Sequence, residues 1–125
     1  SHTEPHQTEN KQDASESVFL TKAIELVEKN LHVPGYSVEQ LSRDLCMERT
    51  GLYRKLVAML DQSPSLFIRN IRLQRAAQLI LEGSLSITEI AERTGFSSSS
   101  YLSKCFQEMY GCRPSEYAEK MQKST

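Results

Sequence analysis

The chain repeats itself. "SVEQLSRDLCM", starting at Ser37, is echoed by "SITEIAERTGF", starting at Ser86. Ser37, Val38, Gln40 and Leu41 match Ser86, Ile87, Glu89 and Ile90 at a spacing of 49. After one added residue in the turn, Leu52, Leu56, Pro64, Ser65 and Phe67 match Leu102, Phe106, Pro114, Ser115 and Tyr117 at a spacing of 50. Each copy reads as a short capped helix, a tight turn and a longer amphipathic helix. Ser37-x-x-Gln40 is a capping box, in which hydroxyl and amide satisfy the helix's orphan N–H groups. A chain of this length fits one domain, so the two copies must share it.

The rest of the pattern is helical too. Phe19, Leu20, Ala23, Ile24, Val27 and Leu31 recur at helical spacing, and "VPGYS" from Val33 to Ser37 stops that first helix. Leu41 and Leu45 form the buried stripe of the second helix, and Leu52, Leu56, Met59 and Leu60 mark a third. Ser63-Pro64 starts a fourth, with Ser as N-cap and Pro at the first helical position. Its apolar positions, from Phe67 to Leu81, end at Gly83. No segment alternates with period 2, so the fold is all-α. The repeat gives two helix-turn-helix units joined by a long central helix. At ~1.5 Å per residue that helix spans roughly 27 Å, against about 34 Å between successive major-groove faces of B-DNA.

Composition excludes several classes. No apolar run is long enough to span a bilayer, and no signal-peptide core is present. Cys46, Cys105 and Cys112 are odd in number and lack Cys-x-x-Cys spacing, which argues against a disulfide framework or a zinc site and for a cytoplasmic setting. Cys46 and Cys105 lie among apolar residues and are expected to be small core side chains. No nucleophile motif, Gly-rich phosphate loop or metal-ligand constellation is recognisable, so no catalytic, metal or cofactor-binding residue is assigned, no cofactor is expected, and the chain is not expected to be an enzyme. His2 and His6 in the tail and His32 at a helix end are expected to be inert.

Residues 1–16 are polar and show no periodicity; they read as a disordered tail or interdomain linker. Residues 17–120 form the folded domain and 121–125 a C-terminal tail. The chain begins with Ser1 rather than Met, as expected of a piece of a longer protein. The net charge of −1 is uneven: residues 1–17 hold Glu4, Glu9, Asp13 and Glu16 against Lys11 alone, which leaves 14 basic and 12 acidic side chains in the remainder. That excess is too small to establish nucleic-acid binding, so clustering has to carry the argument.

Clusters are present on the longer helix of each repeat. Arg49, Thr50, Tyr53, Arg54 and Lys55 surround the apolar Leu52 and Leu56; Arg reads guanine bidentately, and Thr or Tyr contacts phosphate or the thymine methyl group. In the second copy Gly95 can take the left-handed conformation that ends a helix, and Phe96 should plug the core. Ser97 to Ser100 then fall at the cap and first turn of the next helix, which offers Ser98, Ser99, Ser100, Ser103 and Lys104. Being smaller and less charged, it is expected to bind more weakly. Arg69, Arg72 and Arg75 read equally as the solvated face of the long helix, and Tyr101 and Tyr117 read as core aromatics. A helical protein-interaction module with no direct DNA reading stays open as an alternative.

The stretch Ile71–Tyr117 resembles the DNA-binding domain of the AraC/XylS family of bacterial transcription regulators. It carries Arg72/Ala76, Ile87/Ile90/Ala91, Gly95-Phe96, Tyr101-Leu102 and Gly111/Pro114/Tyr117 in the family's order. The resemblance covers about residues 18–118. It implies seven helices, two adjacent major-groove segments bound on double-stranded DNA, and an Arg72 that bridges the two units. Thr50, Tyr53 and Arg54 correspond to base-reading places of the first unit, and Ser99, Ser100, Ser103 and Lys104 to those of the second. Two departures stand out: Lys104 replaces the usual Arg, losing bidentate geometry, and Gly51 lowers helix propensity by ~1 kcal/mol. "LYRKL" and "FIRNIRLQRAAQLIL" are similar to C-terminal domains of Bacteroidetes hybrid two-component regulators. This implies upstream sensor and receiver regions and RNA polymerase as partners. It also implies a monomeric isolated domain without membrane contact, in a cytoplasmic location, within a parent protein that can itself be membrane-anchored.

Overall fold

The computed structural model describes residues 3–123, which form seven helices and no strand. They are α1 Thr3–Lys29, α2 Val38–Asp44, α3 Arg49–Leu60, α4 Pro64–Glu82, α5 Ile87–Arg93, α6 Ser99–Tyr110 and α7 Pro114–Lys123. The caps foreseen in the sequence are formed. Ser37 and Ser86 close reciprocal capping boxes with Gln40 and Glu89. Ser63 caps α4 ahead of Pro64, and Ser98 caps α6. The serine run is therefore the start of a helix, with Ser98 Oγ accepting from the Tyr101 backbone N–H at 3.0 Å.

The repeat holds down to single hydrogen bonds. Met47 N–H donates to Ser42 O and Phe96 N–H to Ala91 O, each at 2.9 Å and 49 residues apart. Cys46 and Gly95 occupy the same left-handed turn position, at φ 56° and 78°. Leu52 and Leu102 are fully buried, as are Leu56 and Phe106.

Each unit has its own core, and α4 is built into both. Phe67, Ile68 and Ile71 join Val27, Leu41, Leu52 and Leu56 on one side; Leu73, Ala76, Ala77 and Leu79 join Ile90, Phe96, Leu102 and Phe106 on the other. Arg72 falls at the seam, 6% exposed. Its guanidinium donates to the carbonyls of Leu31, Thr94 (2.8 Å) and Val33 (3.1 Å), so one side chain ties the loop after α1 to the end of α5. Burial lowers its pKa; three carbonyl dipoles supply the compensation a buried charge requires.

α1 runs past the boundary placed at residue 17, and two expectations are corrected. α1 begins at Thr3, upstream of the boundary placed at residue 17, because no breaker follows Pro5 and Glu, Lys, Gln and Ala propagate a helix well. Phe19 and Leu20 of α1 pack on the core. Cys46 is exposed rather than buried: the left-handed turn swings its side chain to solvent, while Cys105 is buried as expected. Tyr101 is not a core aromatic. It is 45% exposed, resting one side on Phe96 with ring centroids 5.8 Å apart, whereas Tyr117 is buried against Phe106.

Candidate nucleic-acid interface

At about 100° per residue, α3 and α6 each have a buried stripe, an outward ridge and two flanks. Leu52 and Leu56 hold α3 down, and Leu102, Cys105 and Phe106 hold α6 down. The ridges left outward carry Thr50 and Arg54 on α3, and Ser100 and Lys104 on α6, all exposed. These pairs correspond at the 50-residue spacing, so the fold presents the same two positions twice. α4, 19 residues and roughly 28 Å long, runs between the two units.

The flanks divide the remaining candidates. Arg49 is exposed and pairs with Glu39 of α2 at 3.3 Å, a surface contact worth at most ~1 kcal/mol and easily exchanged. Tyr53, 53% exposed, leans with Arg49 and Thr50 over a recess floored by Pro64 and Ser65. Lys55 points the other way: its Nζ lies 4.4 Å from the centre of the Phe19 ring, a cation–π contact with α1. It is not brought to the outward ridge.

On α6, Ser99 and Ser103 are half-buried. Ser103 borders a recess with Ile87, Arg113 and Pro114, the counterpart of the one beneath Tyr53. Ser103 presents a hydroxymethyl where the first unit has the Tyr53 phenol. Ser98 has one lone pair committed to capping, and its O–H is left to donate.

A family model described as a helix-turn-helix domain matches residues 41–120, which span both units. A transcriptional regulator of AraC-type from Chromobacterium violaceum superimposes with a TM-score of 0.77 at 30% identity, over 86% of this chain and 95% of that one. The chain belongs to the AraC-type helix-turn-helix family. The AraC-type domain is also 39% identical, over 79% of its length, to histidine kinase P4 of Formosa agariphila. It spans 7% of that kinase and 26–29% of the Pseudomonas aeruginosa regulators it matches. The fold alone is shared, at 24% identity and a TM-score of 0.73, with the DNA-binding domain of the global transcriptional factor AdpA. It covers 84% of this chain and 94% of that one, which was solved with its target DNA.

The three arginines of α4, alike in sequence, separate in the AraC-type structure. Arg75 is exposed and donates to Gln78 at 2.9 Å; Arg72 is the buried seam; Arg69 is half-buried beside Tyr101. Ser65 and Arg69 were not singled out as site residues by sequence reasoning. The only local signal is their i, i+4 spacing, which places them on one face of α4. Among the described residues no cluster of His, Cys, Asp and Glu could hold a metal ion, and no helix is long and apolar enough to cross a membrane.

Proposed function

We propose that this domain binds double-stranded DNA sequence-specifically, laying α3 and α6 in adjacent major-groove segments, and regulates transcription as the output part of a longer signalling protein. The observation that carries this reading is the doubled outward ridge, Thr50/Arg54 and Ser100/Lys104, held on two rigidly spaced helices. Arg54 reads a base; Arg49, Thr50 and Tyr53 orient the first helix on base edges and phosphate. Lys104 reads as a single-point donor, and Ser98, Ser99 and Ser100 hold backbone phosphate. Ser103 faces its recess and contributes only if the DNA fills it; Lys55 contributes charge from the flank. The second helix therefore binds more weakly.

The similarity to a histidine kinase supports a place downstream of sensor and receiver regions; in this reading the domain lies in the cytoplasm, within a parent that can itself be membrane-anchored, and acts on RNA polymerase. In this reading the domain boundary lies near residue 17, just before Phe19 and Leu20, which pack on the core. The isolated domain is a monomer, uses no cofactor and catalyses no reaction.

Binding to random duplex should fall steeply as salt rises. Flat, undetectable binding at low salt would sink the reading. Arg54→Ala should cost about 1–3 kcal/mol on a selected site and relax preference at one base position, measured by binding to single-base variants of that site. Equal loss on every sequence would reassign Arg54 to phosphate.

A further inference from the structure

Arg69 is the unexplained cation of α4. Among the described residues its one ion pair is with Glu108, with Nη2 and Oε2 3.9 Å apart, too far for a hydrogen bond. Among the described residues its guanidinium donates to nothing, and Nε is sealed from solvent with no acceptor. Buried donors are almost always satisfied, so an orphan of this kind calls for an acceptor from outside the fold.

Its surroundings indicate which acceptor. Arg69 lies in a hollow with Ser65, Arg72, Phe96 and Tyr101. Tyr101 stands in the first turn of α6, and Ser65 also borders the recess under Arg49, Thr50 and Tyr53 of α3. The hollow therefore sits between the starts of the two recognition helices. Arg72 adds an uncancelled positive charge, since neutral carbonyls and no carboxylate surround it. If α3 and α6 occupy successive major-groove segments on one face of a duplex, the intervening surface is the minor groove with its two rows of phosphates. A fork held there meets phosphate oxygens rather than major-groove base edges, and a guanidinium matches them bidentately.

We propose that Arg69, together with the Ser65 hydroxyl one turn before it, forms a phosphate-binding site on α4 that grips the DNA backbone between the two major-groove segments. Glu108 is the loose partner that Arg69 exchanges for phosphate. The proposal rests on the DNA-binding reading above.

The test uses the whole chain and a random-sequence duplex about two helical turns long, titrated across a salt series. Arg69→Gln should lower the slope of log K against log salt by about one and weaken random and selected duplexes equally, with the melting temperature unchanged. Arg69→Lys should restore the slope but only part of the affinity. Glu108→Gln should tighten binding several-fold more than the control Glu82→Gln at the far end of α4, and that advantage should vanish in the Arg69→Gln background. An unchanged slope and affinity in Arg69→Gln overturns the proposal. So does a loss confined to one base position, or a lowered melting temperature with the slope intact. A wild-type chain that binds no duplex fails the DNA-binding reading itself and takes the phosphate site with it.

Discussion

Cys46 and Gly95 close the same turn with the same hydrogen bonds, yet they carry different constraints. Both stand in the left-handed region, which costs a non-glycine residue about 1–2 kcal/mol. At Gly95 a Cβ would also collide with Arg72 Nη1 and with the carbonyl oxygen of Leu31, a backbone atom that cannot step aside. At Cys46 the side chain is exposed and meets no such obstacle. Gly95→Val should therefore lose at least ~2 kcal/mol in chemical denaturation, since strain and displacement of Arg72 add. Cys46→Gly should gain ~0.5–1 kcal/mol: relief of strain is partly offset by the freedom glycine brings to the unfolded chain. A less stable Cys46→Gly would show that the thiol makes a contact worth more than the strain.

The elements depend on their caps and on burial. α2 and α5 have seven residues each, too short to persist alone, so the reciprocal boxes at Ser37/Gln40 and Ser86/Glu89 matter. The two boxes differ in charge. Hydrogen bonds from the Ser86 backbone N–H, then from its hydroxyl, hold the Glu89 carboxyl below the usual carboxylate range, with Arg93 adding a smaller pull. A carboxylate stabilised this way contributes fully above its unfolded pKa and loses that contribution as pH falls through its folded one. Glu89→Gln keeps the cap, as Gln40 does, but removes the charge. The variant should be slightly less stable than wild type near neutral pH, and the gap should close as pH falls from about 5 towards 3, read from melting temperatures. A constant gap would show that the charge plays no part.

Across the whole molecule, one residue decides whether two small cores behave as one. α4 runs through both, and Arg72 binds carbonyls from both units at their seam. Arg72→Gln keeps polarity but abandons most of the fork, leaving buried carbonyls unpaired. It should cost on the order of 3 kcal/mol and lower the cooperativity of unfolding, so that calorimetric and van't Hoff enthalpies no longer agree. A single sharp transition at reduced temperature would mean that the shared helix alone couples the units. A rigid seam also fixes the spacing of Thr50/Arg54 from Ser100/Lys104, on which simultaneous engagement of two groove segments depends.

Much of this was legible before any coordinates. The repeat, the caps at Ser37, Ser63, Ser86 and Ser98, the glycine turn and the buried stripes of α3 and α6 follow from rules that act within a few residues. Those rules determine where helices start, where they stop and which face is apolar. Where flanking side chains go is not local. Lys55 turns to Phe19, Arg72 to carbonyls up to 41 residues away, and Arg69 into a hollow made by another helix. Cys46 and Tyr101, read as core, are exposed because the turn and the neighbouring Phe96 direct them outward. The sequence by itself determined an all-helical double helix-turn-helix and its outward ridges. Only the tertiary structure decided which cation is mortar, which is surface and which is only loosely paired. That choice depends on acceptors supplied by elements distant in the chain.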